Sequence, residues 1–399
     1  MHNVRKITED LFYVGASDRR LHLFENVYPV PQGVSYNSYV LLDEKTVLLD
    51  TCDRAVADLF LENLEKALQG RPLDYLVVDH MEPDHGATVL RVAEKYPTAQ
   101  ILCTNGAKNM LANFFDADLT GRIRVVKEGE KLSCGRHTLA FYTAPMVHWP
   151  EVMVTFDETA GTLFSADAFG SFGALNGDLF ADEGDFGKAE WDEMRRYYAN
   201  IVGKYGSQVQ ALLKKASGLD IRMLCPLHGP LWRRDLEAVI ARYGLWSRWE
   251  GEEGLVIFCA SIYGGTQNAM DRLAALLSDR GVKGVKVYDV SGQDPSFLLA
   301  EAFRAKVCVF ASSSYNAGVF VKMEDLLHDL KAHDYKNHRV AYVENGSWAP
   351  TAAKTMKAIL EGQALETVGE TVTLRSAPHA KDEGALEALA DALKEALEK

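Results

Sequence analysis

The sequence predicts an α/β protein in two unlike halves: sheets covered by helices over residues 1–250, then a doubly wound parallel sheet over 254–399. Three observations carry that reading. A chain of 399 residues exceeds the usual size of one compact domain. The first half mixes short alternating strands with helices, which suits sheets covered by helices. After Gly251–Gly254 the pattern becomes a regular strand–helix alternation.

In the first half, VSYNSYVLL and VLLDT read as a hairpin whose second strand ends at Asp50. A helical stretch, ADLFLENLEKALQG, leads to LDYLVVDH, an apolar run that reads as a buried strand. Strands follow in QILCT, RIRVV, TLAFYTA, EVMVTFD and GTLFSADA, then a long Gly- and Asp-rich loop to about Gly187. The helix AEWDEMRRYYANIVGKY, a second helix, the strand IRMLCPLH and a last helix reaching Trp249 complete this half. The segment 251–254 reads as a linker. In the second half GLVIFCAS, VKVYDVS, KVCVFASSS, RVAYVEN and TVTLRS are strands, alternating with helices through the terminal EGALEALADALKEALEK. Five such units make a sheet of flavodoxin type. The terminal helix reads as a packed cover or as a coiled-coil handle.

Composition narrows the partners. Apolar residues make up 47% and charged residues 25%, an ordinary globular balance. Forty-three Lys and Arg against 56 Asp and Glu leave a formal charge of −13 with no long basic run, which argues against nucleic acid and anionic membrane. No apolar run approaches the roughly 20 residues of a membrane span, and MHNVRKITEDLFYVG lacks a signal-peptide core. Six cysteines lie scattered with no C-x-x-C, which suits a reducing, cytoplasmic setting.

His80, Glu82, Asp84 and His85 lie within six residues at the end of an apolar strand, with Pro83 favouring a loop in which all four converge. A salt-bridged surface turn is the competing reading, since such a cluster must be paired or hold a metal if buried. His148, Asp167 and His228 each sit just past another apolar run, where open sheets carry functional loops. His2, His22, His137, His328, His333, His338 and His379 have no such placement and read as surface or core residues.

The order H-x-E-x-D-H, then His148, Asp167 and His228 within P-L-H-G-P, resembles the metallo-β-lactamase fold in its flavodiiron branch, across essentially the whole chain. The resemblance implies an N-terminal αββα sandwich. It also implies that His80, Glu82 and His148 ligate one iron, that Asp84, His85 and His228 ligate the other, and that Asp167 bridges them. Hydrolase relatives carry His where this chain has Glu82, and a harder oxygen donor favours iron over zinc.

The turn Ser261-Ile262-Tyr263-Gly264-Gly265-Thr266 follows the first strand of the second half. Such a turn closes backbone N–H groups around a phosphate at a helix N-terminus, although a plain tight turn reads the same way. It resembles the flavodoxin phosphate loop T-x-T-G-N-T, with Tyr263 and Gly265 at the second Thr and the Asn. Two more strand-end loops, Ser312-Ser313-Ser314-Tyr315-Asn316-Ala317-Gly318 and Glu344-Asn345-Gly346-Ser347-Trp348, fall on the same edge. Each offers an aromatic to flank a planar ring. Together the three loops predict FMN.

A two-iron site and a flavin in one chain imply multi-electron reduction of a small molecule, and the resemblance implies dioxygen to water, nitric oxide to nitrous oxide, or both. His22 and Tyr197 lie in segments resembling the family's active-site surroundings, as donors to a bound gas or as ordinary packing. The family's head-to-tail homodimer, alone or as a dimer of dimers, is expected, with an external donor such as rubredoxin or a reduced deazaflavin. Two other classes compete: a dizinc hydrolase whose flavodoxin half docks a partner, and an electron-carrier scaffold with a vestigial metal site.

Overall fold

Two facing sheets form the first half. In the computed structural model, which describes residues 2–184, 186–252 and 254–398, Tyr39–Leu42 runs antiparallel to Thr46–Leu49 with Tyr39 opposite Leu49. Thr46–Leu49 then pairs in parallel with Tyr75–Val78, and the ladder continues through Gln100–Cys103 to Ile123–Val125. Leu11–Tyr13 and Arg5–Lys6 extend the antiparallel edge to seven strands. The second sheet has Lys131–Ser133, Thr138–Thr143, Met153–Asp157 and Thr162–Phe164 antiparallel in turn, with Met223–Cys225 parallel at its edge.

Alternation along these strands sends one side-chain set inward. Tyr39, Leu41, Val47, Leu49, Val77 and Leu102 of the first sheet share one core with Leu139, Phe141, Met153, Phe164 and Cys225 of the second. The helix Ala57–Leu68 buries Phe60, Leu61, Leu64, Ala67 and Leu68, a helical spacing, and ends at Gln69 in the left-handed region.

VSYNSYVLL does not form one strand. Val34–Tyr36 pairs with Ala16–Asp18 in a separate ribbon, and the break falls at Asn37-Ser38. The Asn37 amide donates to the carbonyls of Pro226 and Gly229, both at 2.9 Å, and Ser38 Oγ donates to the Asp50 carbonyl at 2.9 Å. Those bonds turn the backbone out of the sheet and tie it to the loop that carries His228.

In the second half the parallel order is Lys286–Asp289, Leu255–Ala260, Val307–Tyr315, Arg339–Asn345 and a fifth position. That fifth position is divided between Glu366–Thr367 and Val372–Leu374. Ile257, Val309 and Ala341 face a core completed by Leu273 and Leu277 of the helix Gly265–Asp279 and by Leu386, Leu389 and Leu393 of Glu383–Glu398. The terminal helix is therefore a packed cover. Residues of opposite parity, Phe258, Phe310 and Tyr342, meet across neighbouring strands with ring centroids 5.7 and 6.2 Å apart.

The third strand runs through Ser312, Ser313 and Ser314, as KVCVFASSS reads, and one residue further to Tyr315; it then folds back on Gly318–Val319 through Asn316 and Ala317, both at positive φ. The chain divides into Met1–Tyr198 with Ser207–Tyr243, and Gly244–Lys399 with Ala199–Gly206. Ala199–Gly206 joins the second unit because Asn200 Nδ2 donates to the Ser296 carbonyl at 3.0 Å and His333 Nε2 meets the Asn200 carbonyl at 3.0 Å. The expected linker 251–254 includes Glu253, which lies outside the described residues. Among the described residues, no helix is long and apolar enough to cross a membrane.

Candidate functional site

Four strand ends in the first unit deliver the predicted cluster. The strand Tyr75–Val78 stops short of His80, and Pro83 opens a one-turn helix, Pro83–Gly86, that carries Asp84 and His85. Gly86 is required there, since a Cβ would come within 2.7 Å of the Met81 carbonyl oxygen. His148 lies between Thr138–Thr143 and Met153–Asp157, Asp167 follows Thr162–Phe164, and His228 follows Met223–Cys225.

The seven side chains gather into two groups, His80 with Glu82, His148 and Asp167, and Asp84 with His85 and His228. All are buried. Asp167 faces both groups. Its Oδ2 lies 3.2 Å from Nε2 of His80 and of His148, and its Oδ1 lies 3.4 Å from His85 Nε2 and 3.6 Å from His228 Nε2. Glu82 Oε2 is 2.9 Å from His148 Nε2 and 3.3 Å from His80 Nε2. Asp84 Oδ2 is 3.1 Å from His228 Nε2 and 3.4 Å from His85 Nε2. The surface-turn alternative for the H-x-E-x-D-H segment fails on this burial and convergence.

The donor chemistry fits two cations. His80 Nδ1 lies 2.9 Å from the Glu151 carboxylate and His228 Nδ1 lies 2.7 Å from the Ser35 carbonyl, so each ring carries its proton on Nδ1 and directs an Nε2 lone pair inward. The Nε2 atoms of His85 and His228 approach to 3.0 Å, and both oxygens of Asp84 and of Asp167 have no hydrogen-bond donor. Lone pairs facing lone pairs in a buried site require a cation between them. Without one, protons take that place. Burial opposes charge on His148, but the carboxylates of Asp167 and Glu82 outweigh it and push the imidazole up to about 9. Each group also offers two histidines and one carboxylate besides the shared Asp167, the donor set of non-haem ferrous sites.

Tyr197 reaches this site. Its fully buried ring lies 5.4 Å from the His228 ring and 5.1 Å from Phe172, and its hydroxyl has no hydrogen-bond partner. His22 is exposed, and among the described residues its imidazole has no hydrogen bond or ion pair. The hairpin Leu23–Phe24 with Tyr28–Pro29 turns at Glu25 and Asn26, both at positive φ, and presents Glu25 to the cluster. The residue sits at an exposed tip, yet its carboxyl reaches inward. Burial of that carboxyl and its hydrogen bond to Glu82 push the Glu25 pKa up. Glu25 and Glu151 were not read from the sequence. The only local signal for Glu151 was its place three residues after His148, and Glu25 had none.

In the second unit, Ser261, Tyr263, Gly265, Thr266, Ser313, Ser314, Tyr315, Asn316, Asn345, Gly346, Ser347 and Trp348 line one cleft of about 430 Å³. Gly264 lies at the helix start at φ +86°, with no side-chain cap on the first N–H groups of Gly265–Asp279. Ser312, fully buried, and Gly318, whose carbonyl accepts from Thr351 Oγ1, are not among the residues that line it. Tyr263 is 98% and Trp348 89% exposed, two aromatics packed on nothing and free to flank a planar ring. Free helix-start N–H groups and flanking aromatics fit a phosphorylated flavin.

The sequence reading missed Ser376 and Ala377, which close the cleft from the end of the fifth strand. Asn345 holds them, its Nδ2 donating to the Ser376 carbonyl at 2.7 Å while its Oδ1 accepts from Ser376 N–H at 2.9 Å. The rule that loops at one sheet edge form the site was the signal available for them.

A family model described as ODP family beta lactamase matches residues 34–229. The chain is 30% identical over 384 residues to a protein named nitric oxide reductase from Moorella thermoacetica, covering 94% of each. It is 30% identical over 367 residues to an anaerobic nitric oxide reductase flavorubredoxin from Vibrio vulnificus, covering 90% of this chain and 74% of that one. Among solved structures, rubredoxin oxygen:oxidoreductase from Desulfovibrio gigas aligns at TM-score 0.92 and 27% identity over 99% of both chains. The first half is thus a metallo-β-lactamase-like domain and the second a flavodoxin-like one. Because relatives of both halves align in one order along nearly the whole length, the chain belongs to the flavodiiron protein family.

Proposed function

We propose that this protein is a flavodiiron oxidoreductase that reduces dioxygen to water, nitric oxide to nitrous oxide, or both. The observation that carries the reading is Asp167, whose two oxygens each face a separate group of two histidines and a carboxylate. His80, Glu82 and His148 would hold one iron and Asp84, His85 and His228 the other, with Asp167 between them. A dizinc hydrolase is not favoured, because each group keeps a hard carboxylate beside its histidines.

When bound, the irons would supply electrons and Lewis acidity to the gas, and FMN would relay electrons to them from an external donor. Dioxygen takes four electrons and four protons to two waters, and two nitric oxide molecules take two of each to nitrous oxide and one water. The chain's own residues shape the site. Phe24 and Phe172 pack with Tyr197 beside His228 and exclude bulk water there. The Tyr197 hydroxyl, buried and unpartnered, is a hydrogen-bond donor for a small polar ligand. In the second unit, the Gly264–Thr266 turn would take the flavin phosphate, and Tyr263 and Trp348 its ring.

Residues 1–250 serve as the metal domain and 254–399 as the FMN domain in this reading. A head-to-tail homodimer, or a dimer of dimers, brings one subunit's FMN to the other's irons, and rubredoxin or a reduced deazaflavin supplies electrons. Support for the donor comes from two relatives named for rubredoxin, the Vibrio vulnificus flavorubredoxin and the Desulfovibrio gigas rubredoxin oxygen:oxidoreductase. A cytoplasmic setting is supported by six buried, unpaired cysteines. Anaerobic stopped-flow of the reduced, iron- and FMN-loaded protein against each gas tests the function. Rapid reoxidation by at least one gas is expected, and inertness to both overturns it. Sedimentation of a fully active single chain overturns the dimer.

A further inference from the structure

His80 is held from behind differently from the other cluster histidines. Its Nδ1–H donates to Glu151 Oε1 at 2.9 Å, and the same oxygen accepts the Met81 N–H at 2.8 Å. His228 Nδ1–H meets a neutral acceptor, the Ser35 carbonyl, and His85 Nδ1 has no partner. Among the described residues, His80 is the one cluster histidine whose outer nitrogen bonds a carboxylate.

The surrounding structure is built around that carboxylate. The Glu151 side chain is fully buried. Its carbonyl accepts from Thr104 Oγ1 at 2.8 Å, and a Cβ at Gly106 would come within 2.9 Å of Glu151 Cβ, so the first turn of the helix Asn105–Phe114 carries a glycine where Glu151 passes. Trp149, on the same turn, sets its ring edge-on to His80 at 5.6 Å. Asp50, another buried acid in reach, accepts from the backbone N–H groups of Asp79 and His80, at 2.9 and 3.2 Å, rather than from an imidazole.

A carboxylate behind a ligating imidazole draws the Nδ1 proton away and enriches Nε2 in electron density, which stabilises the higher charge on the metal; a carbonyl does so less. We propose that Glu151 makes the two metal positions electronically unequal. The iron held by His80, Glu82 and His148 stays ferric while the iron held by Asp84, His85 and His228 takes the first electron. Each step is one electron, ferric to ferrous, with no bond to the protein broken. This inference rests on the diiron reading.

Dithionite titration of the iron-loaded holoprotein, followed by the EPR signal of the half-reduced pair, separates the two steps. Glu151→Gln keeps an acceptor for both N–H groups and loses the charge. It is expected to draw the second step toward the first, reducing the equilibrium constant for forming the half-reduced pair about tenfold, with Glu151→Asp restoring most of the gap. An unchanged gap in Glu151→Gln at full iron content overturns the proposal and leaves the diiron reading intact. If that variant loses iron, Mössbauer spectra of the half-reduced native protein decide: separate ferric and ferrous signals support the inequality, and one averaged valence overturns it. Absence of any iron signal in the native protein overturns the diiron reading as well.

Discussion

Asp167 Oδ2 and His80 Nε2 stand 3.2 Å apart with a lone pair on each, because the ring proton of His80 is committed to Glu151 on its far side. Such a pair is stable only with a cation between, and Asp167 makes the same approach to the second group. Asp167→Ala should therefore release both metals rather than one, weakening iron binding by at least ~100-fold. Metal analysis after gel filtration checks it. Chelation should lower the melting temperature of the native protein and leave that of the variant unmoved, since a ligand bound only to the folded state stabilises it by mass action.

Tyr197→Phe removes a buried hydroxyl that has no partner. Leaving such a group unsatisfied costs about 1–3 kcal/mol, so the metal-free variant should melt no lower than the native protein. Gas turnover should nonetheless fall about tenfold, the scale of one lost hydrogen bond to a reacting ligand. Equal turnover with both gases would remove Tyr197 from the active site.

Gly265→Ala sets a Cβ against the Ser376 carbonyl, where backbone must move. The variant should bind FMN at least about tenfold more weakly, read by quenching of flavin fluorescence, because it displaces the loop that closes the cleft. Trp348→Ala separates stacking from strain. The side chain packs on nothing, so stability should be unchanged while FMN affinity falls by about 0.5–1.5 kcal/mol or more.

His137, read from the sequence as an ordinary surface or core residue, lies between two carboxylates, with Nε2 2.7 Å from Asp10 Oδ2 and Nδ1 2.6 Å from Asp157 Oδ2. Burial opposes its charge, but the two acids outweigh burial and raise its pKa. A folded pKa above the unfolded value of about 6.5 gives stability that is fully present below that pH and lost as pH rises through the folded pKa. Burial acts the other way on Asp10, and its bond to His137 wins and lowers its pKa, so that share is lost as pH falls through the folded value. His137→Gln should thus lower the melting temperature more at pH 6 than at pH 9. The difference between native and variant melts across that range isolates this pair from the metal cluster.

Legible in the sequence alone were the two-half organisation, a parallel sheet of flavodoxin type in the second half and the seven candidate side chains of the cluster, because each depends on short-range patterns. An apolar run ends, and the polar residue just beyond it lands at a sheet edge. Only the tertiary structure decided what meets at those edges. It broke VSYNSYVLL at Asn37-Ser38, since the Asn37 amide finds carbonyls nearly two hundred residues away. It turned Glu25 toward the cluster, set Glu151 behind His80, and brought Ser376 to Asn345. Local periodicity says which face of an element is buried, whereas these pairings follow from how whole sheets and loops stack, and no window of neighbouring residues encodes that.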